Sequence, residues 1–236
     1  MTAVDAGRTV TLSLAGHDVG VIVRRSARAR QIAIRIDPVK GGAELVLPPR
    51  ASETEGLDFV HSRADWLLDR LAAMPPHVPF RDGETMPFRG APHLIVHDPS
   101  ARRGVWSEEG RIVVSGHAEY LSRRLHDWLR REARSAITPL ARIKADVLDK
   151  RPGKISIRDQ KSRWGSCSSS GNLSFNWRLI LTPETVLDYV VAHEVGHMAV
   201  PNHSRTFWKT VDRLTLHAGH GRAWLRRNGD QLFRCG

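Results

Sequence analysis

The segment HEVGHMAVPNH, residues 193–203, constrains the fold of this chain more than any other feature. It ends a longer segment that predicts a helix, because Thr182 suits the N-cap and Pro183 suits the first helical position. Residues four apart share one face of a helix, so His193 and His197 would present both imidazoles on the same side. The fold must leave room beside this helix for whatever the two imidazoles bind.

A third histidine follows the predicted helix. Pro201 favours an end to the helix and Asn202 tolerates the backbone angles of a sharp turn, so His203 can return toward the first two histidines. Three neutral imidazoles with one open position are typical of a catalytic zinc site. We therefore predict one zinc ion held by His193, His197 and His203.

The acidic residue of the motif has a different predicted role. Glu194 lies about 100° around the helix from His193, an offset that suits a contact with water beside the metal and not with the metal itself. A carboxylate in that position can accept a proton while metal-activated water attacks a carbonyl or phosphoryl group. We predict that Glu194 is the catalytic general base.

The first 115 residues are rich in strand patterns. Short runs of Val, Ile and Leu, separated by Gly, Asp and Pro, predict a small antiparallel sheet. Ser52 and Glu55 form a capping-box pattern that predicts one helix after this sheet, and further strand-like pieces precede residue 115. The sheet-forming runs lie at residues 9–14, 19–23, 31–36 and 43–47.

The second half is mainly helical. Apolar spacings of three and four predict a long helix between His117 and Lys150, which Pro139 should kink or split. A hairpin precedes the histidine helix, and the glycine-containing segment HAGHG near the C-terminus reads as a loop. We predict an α+β fold with a β-rich region at residues 1–115 and a metal-binding core at residues 116–236, in one compact unit.

Charge and composition restrict the partners. The chain has 36 Lys and Arg against 25 Asp and Glu, a formal charge of +11, which favours nucleic acid, nucleotides or acidic proteins. The basic clusters at residues 24–30, 123–134 and 222–227 are equally consistent with a solvated surface.

The chain shows no targeting or membrane signal. No run approaches the roughly 20 apolar residues of a membrane span, and no charged segment precedes an apolar run at the start. Cys167 and Cys235 have no spacing that suggests a zinc knuckle or a disulfide framework. We expect a cytoplasmic protein with no membrane partner.

The block QKSRWGSCSSSGNLSFNWRLILTPETVLDYVVAHEVGHMAVPNHSRTFW, residues 160–208, resembles the YgjP-like metallohydrolases, which are related to the WLM and SprT-like zinc peptidases. The basic segment RRSARARQIAIRI near the start resembles the same family. The histidine spacing also occurs in metzincins, but those enzymes have Gly where this chain has Val200, and no separate Met-turn is evident.

The resemblance implies a zincin-like core in which the helix of residues 183–200 carries His193, Glu194 and His197, with His203 as third ligand. It also implies a metal-dependent hydrolase or peptidase. Nucleotide pyrophosphate cleavage has been attached to the same family.

The hairpin offers candidate substrate contacts. Extended peptides commonly pair with a sheet edge, and SRWGSC is the predicted strand for this role because Gly and Ser permit close backbone approach. Nearby cations could stabilise an oxyanion or hold a phosphate. The predicted substrate-binding residues are Arg163, Trp164, Gly165, Ser166 and Arg178, with His220 as a predicted transition-state donor.

Three functions follow from these patterns. The first is a zinc metallopeptidase that acts on a protein or peptide substrate. The second is a nucleotide pyrophosphatase or phosphate-ester metallohydrolase, against which stands the absence of a glycine-rich phosphate loop. The third is a non-enzymatic nucleic-acid-binding module with a structural zinc, which usually needs four ligands instead of three.

Overall fold

The computed structural model describes residues 7–39 and 41–236. The chain divides into two compact units, Met1–His77 and Val78–Gly236, instead of the single predicted unit. The predicted boundary at residues 115/116 falls inside the second unit. The reason is that Ile95 and Ile112, which precede that boundary, are buried in the same cluster as Leu125, which follows it.

The first unit contains a four-stranded sheet of order β1-β2-β4-β3. Its outer pairs are antiparallel, but β2 and β4 run parallel, so the prediction of an antiparallel sheet is wrong on this point. Apolar patterning marks the strands without setting the direction in which they pair. The strands are β1 (Arg8–Leu14), β2 (His17–Arg25), β3 (Ala33–Asp37) and β4 (Gly42–Leu47).

Two helices follow this sheet, α1 (Glu53–His61) and α2 (Ala64–Ala72), where the sequence predicts one. The capping box at the start of α1 is confirmed, since the side chains of Ser52 and Glu55 each accept a hydrogen bond from the other residue's backbone N–H. Both helices contribute to the buried core of this unit.

The second unit begins with a sheet of order β5-β6-β8-β7, formed by β5 (Thr85–Phe88), β6 (Ala91–Asp98), β7 (Val105–Glu108) and β8 (Arg111–Ser115). The long helix α3 (Leu121–Val147) contributes a buried apolar stripe to the same core. The helix continues through Pro139, so the predicted split does not occur. Ile137 and Ala141 are buried on either side of the proline, and their packing favours an unbroken helix.

A small sheet of order β10-β11-β9 lies within the same unit. Its strands are β9 (Ile155–Arg158), β10 (Gly165–Cys167) and β11 (Leu173–Asn176). The predicted hairpin is confirmed as the antiparallel pair β10–β11, whereas β9 runs parallel to β11. Strand β11 ends at Asn176, and residues 177–181 then form a 3-10 helix.

Three helices complete the unit: α4 (Glu184–Gly196), α5 (Arg205–Leu214) and α6 (Ala218–Phe233). The histidine helix α4 packs against α3, α6 and the small sheet. It ends at Gly196, well before Pro201, and His197 is its C-cap. The predicted loop HAGHG instead forms the N-cap and first turn of α6. The α+β class is confirmed, with the histidine helix against a small sheet.

Within the part of the chain that the structure describes, no helix combines the length and apolar character needed to cross a membrane.

Candidate metal centre

Three imidazoles converge at the end of α4. One ring nitrogen from each of His193, His197 and His203 lies within 4.8 Å of the corresponding nitrogens of the other two. The two Nε2 atoms of His193 and His203 are 3.1 Å apart. Two nitrogens that are each about 2.0–2.1 Å from a tetrahedral zinc ion lie about 3.3 Å apart. The spacing of the imidazoles therefore fits a shared ion.

Helix α5 braces all three rings. The ring of Phe207 lies 4.4 Å from the ring of His197 and 4.9 Å from those of His193 and His203, measured between centroids. Phe207 is held at the start of α5, where its backbone N–H donates to the hydroxyl of Ser204, the N-cap. A single buried aromatic ring thus limits the rotation of the three imidazoles.

The chemistry of the imidazoles also suits a metal. His197 Nδ1 lies 3.1 Å from the carbonyl oxygen of Val200, a contact that leaves Nε2 free for an ion. Burial lowers the pKa of His193 to about 4, with smaller contributions from the positive charges of His197 and His203. Neutral imidazole is the form that binds a metal, so these residues fit a divalent ion.

Glu194 directly follows His193 in α4 and is buried. Burial raises the pKa of its carboxyl group to about 7, an effect that the charge of Arg163 opposes in part. A divalent cation nearby would favour the ionised form and lower this pKa. Whether the carboxyl group of Glu194 is ionised near neutral pH therefore depends on whether a cation lies nearby.

The small sheet contacts Glu194 at Gly165. A β-carbon at Gly165 would lie 2.5 Å from Cγ and 2.7 Å from Oε1 of Glu194. The sequence predicts that Gly165 allows close approach of a substrate, and the structure shows that the side chain occupying this space belongs to Glu194. Ser166 follows in β10 and is half-buried.

Two other predicted substrate residues precede β10. Arg163 is exposed, and its charge acts on the carboxyl group of Glu194. Trp164 packs against Phe233, with ring centroids 4.7 Å apart. Arg163 is therefore available to a substrate near Glu194, whereas Trp164 contributes at least one face to the core.

Arg178 is not available to a substrate, which corrects the prediction made for it. Its side chain is 2% exposed and forms an ion pair with Asp159. Its guanidinium also lies over the rings of Trp177 and Phe233. The sequence could not distinguish this buried cation from an active-site cation, because its partner is 19 residues away in the chain.

The structure does not bring His220 to the three imidazoles. His220 is exposed, and its Nδ1 lies 3.5 Å from the hydroxyl of Thr185 in the first turn of α4. Thr185 precedes His193 by eight residues, about 12 Å along a helix. The position of His220 gives no support to its predicted role as a transition-state donor.

Two residues close to the imidazoles were not among the predicted site residues. The ring of Trp208 lies 5.8 Å from that of His193 and 5.9 Å from that of His203, and Arg222 lies over Trp208. The sequence singled out Arg222 only as part of a basic cluster and gave no role in the site to Trp208. Their approach to the site depends on how α5 and α6 pack, which local sequence patterns do not reveal.

Two of the three basic clusters, at residues 24–30 and 123–134, use part of their charge within the protein. Arg24 pairs with Glu44, and Arg25 donates to three backbone carbonyls. In the second cluster Arg130 donates to the carbonyl of Ile157. Fewer arginine side chains are therefore free to bind nucleic acid than the sequence suggests.

Comparison with known proteins identifies the family. The family model described as the YgjP-like metallopeptidase domain matches residues 30–228. Among solved structures, the crystal structure of the metallopeptidase zymogen abylysin of Pyrococcus abyssi is similar, with 22% identity and a TM-score of 0.35, and the alignment covers 39% of this chain and 93% of that one. No curated protein matches the chain. The family match covers most of the sequence and includes the histidine motif, so this chain belongs to the YgjP-like metallopeptidase family and is a metal-dependent hydrolase.

Proposed function

We propose that this protein is a zinc-dependent metallopeptidase in which His193, His197 and His203 hold one zinc ion and Glu194 is the general base. The observation that carries the proposal is that three imidazole nitrogens lie within 4.8 Å of one another and that Glu194, which directly follows His193 in α4, is buried. Three protein ligands leave an open position, as in catalytic zinc sites.

The roles of the protein and the metal are separate. A zinc ion bound by the three imidazoles supplies a Lewis acid, which lowers the pKa of water to about 7 and polarises a carbonyl oxygen. Glu194 accepts a proton from the attacking water and returns it to the leaving amine. Glu194 belongs to α4, and its side chain packs against Gly165 of β10. This packing limits the positions that its carboxyl group can take.

Strand β10 is suited to hold an extended peptide. In the described part of the chain it pairs with β11 alone, so its other edge can accept a further strand. A peptide on that edge would form main-chain hydrogen bonds and lie next to Gly165, where the strand contacts Glu194. This placement favours cleavage of a peptide bond over cleavage of a phosphate ester, for which the described residues offer no glycine-rich phosphate loop.

The test compares the zinc-loaded protein with its Glu194→Gln variant on three substrates: an unfolded protein, a DNA-bound protein and a nucleoside triphosphate. We expect cleavage of the unfolded protein by the wild type, and a loss of at least about a hundredfold in kcat for the variant. The variant should bind one zinc ion per chain. Cleavage of the triphosphate alone, abolished by the substitution, would reject the peptidase assignment in favour of a phosphohydrolase.

A further inference from the structure

An arginine from α6 stands beside the predicted metal ligands. The guanidinium carbon of Arg222 lies 5.2 Å from the ring centroid of Trp208, and the Trp208 ring stacks on that of His203 with an angle of 29° between their planes. One aromatic side chain therefore links a predicted metal ligand to an exposed cation.

The backbone of α6 holds this arginine in place. Gly221 packs so closely on α4 that a β-carbon there would lie 2.6 Å from Cβ of Tyr189. Tyr189 precedes His193 by one helical turn, and the two rings are 5.9 Å apart in an edge-to-face contact. Because Gly221 is adjacent to Arg222, the contact fixes where the arginine side chain begins. The positive charge of Arg222 also acts on both neighbours, since it contributes to the lowered pKa of His193 and opposes the raised pKa of Tyr189.

The donors of Arg222 are free. Across residues 7–39 and 41–236, no hydrogen bond or ion pair involves its guanidinium, whereas Arg178 and Arg24 are both paired with carboxylates. A guanidinium stacked on an aromatic ring keeps its N–H edge open and loses less side-chain freedom when it binds. The arginine is therefore preorganised to bind an anion at the edge of the site.

We propose that Arg222 determines substrate specificity by binding a carboxylate of the peptide substrate. The inference rests on the proposed peptidase function and extends it to a substrate class. A carboxylate fits the planar fork of a guanidinium with two parallel hydrogen bonds, and the net charge of +11 favours acidic substrates in general. The carboxylate is either that of an Asp or Glu side chain or that of the peptide C-terminus.

The experiment measures kcat and KM for pairs of quenched fluorescent peptides. One set of pairs exchanges Glu for Gln at successive positions around the cleaved bond, and another pair exchanges a free C-terminus for an amide. The proteins are the wild type, Arg222→Gln, Arg222→Lys and the control Arg226→Gln, which removes the same charge from an exposed position on the same helix. Thermal unfolding of each variant checks that it is folded.

We expect one carboxylate to lower the KM of the wild type about tenfold to a hundredfold relative to its neutral partner. Arg222→Gln should remove this difference while kcat stays nearly unchanged, Arg222→Lys should restore part of it, and Arg226→Gln should retain it. The peptide pair whose two members differ in KM identifies the bound carboxylate as that of a side chain or that of the C-terminus. The inference fails if no pair differs in the wild type, or if Arg222→Gln affects acidic and neutral peptides equally.

A measurement of peptide binding tests this inference independently of the proposed peptidase function. Fluorescence anisotropy measures binding of the same peptides to zinc-loaded Glu194→Gln protein, with and without Arg222→Gln. If the wild type cleaves no peptide, the peptidase assignment fails, but binding still decides the role of Arg222. Tighter binding of acidic peptides that depends on Arg222 supports the inference. Equal binding of acidic and neutral peptides, or stronger competition by a nucleoside triphosphate than by an acidic peptide, overturns it.

Discussion

The side chain of Glu194 fills the space that a β-carbon on Gly165 would require, with Cγ of Glu194 2.5 Å from the position of that carbon. The contact joins strand β10 to the histidine helix at the residue proposed as general base. Any side chain at position 165 must displace either the strand or the carboxyl group.

We therefore predict that Gly165→Ala lowers kcat about tenfold to a hundredfold, because a misplacement of about 1 Å is enough to cause such a loss. Zinc content should stay at one ion per chain, since the three atoms nearest to a β-carbon at position 165 all belong to Glu194 and not to a predicted metal ligand. Gly219→Ala is the matched control, because a β-carbon there has no neighbour within 4 Å. Equal activity of the two variants would show that the contact has no role in positioning Glu194.

Zinc affinity should distinguish the predicted metal ligand His203 from His220, which lies outside the imidazole group. His203→Asn should weaken zinc binding at least about a hundredfold, because removing a ligand costs more than removing a supporting contact. It should also reduce the rise in melting temperature that zinc produces, since an ion that binds only the folded state stabilises that state.

The control for this prediction is His220→Asn, which changes an exposed histidine outside the imidazole group. Zinc titration and thermal unfolding are measured for both variants. Zinc affinity that falls equally in the two variants, or in neither, would contradict the assignment of His203 as third ligand.

The ion pair between Arg178 and Asp159 should contribute to stability and not to substrate binding. Asp159→Ala would leave the guanidinium of Arg178 buried without its partner, and we expect the free energy of unfolding to fall by about 1–3 kcal/mol. The lower part of this range is expected because the side chain of Asp159 is 47% exposed.

Urea unfolding measures the change, with Asp230→Ala as a control on an exposed residue of α6. KM of the folded Asp159→Ala protein should equal that of the wild type. A large increase in KM without loss of stability would instead show that Arg178 contributes to substrate binding.

The thiol of Cys235 should make stability depend on alkaline pH. Burial raises the pKa of this thiol from 9.0 to about 11, although the charge of Arg178 opposes the effect. Between these values the unfolded chain loses its proton while the folded chain retains it. The stabilisation is therefore complete below pH 9 and is lost as the pH rises toward 11, by up to about 2–3 kcal/mol.

The measurement is urea unfolding of the wild type and of Cys235→Ala at pH 8.5 and pH 10.5. Other groups also titrate in this range, but they are common to both proteins, so the difference isolates the thiol. The wild type should lose more stability than the variant over this interval. Parallel losses would indicate that the thiol ionises equally in both states.

Local sequence was sufficient for the features that depend on neighbours along the chain. The capping box of Ser52 and Glu55 was predicted and is present, because its hydrogen bonds span three residues. The hairpin β10–β11 was also predicted, since its strands are joined by a short turn. The convergence of His193 and His197 follows from helical spacing alone.

Features that depend on residues far apart in the chain could not be predicted from local sequence. The parallel pairing of β2 with β4 and the joint core of α3 with the preceding sheet required the folded chain. Arg178 and Arg222 illustrate the point, because both are arginines in basic or aromatic surroundings in the sequence. One is buried against Asp159, and the other is exposed on Trp208 beside the imidazoles.

The sequence by itself determined that this chain presents a metal-binding motif on a helix of an α+β fold, because the spacing of residues on a helix is a local property, although the N-cap of this helix is Pro183 and not the predicted Thr182. Only the tertiary structure decided which groups surround that motif. Gly165 against Glu194, Phe207 against the three imidazoles and Arg222 over Trp208 are contacts between separate elements. They depend on the packing of side chains in three dimensions, which periodicity along one chain does not specify.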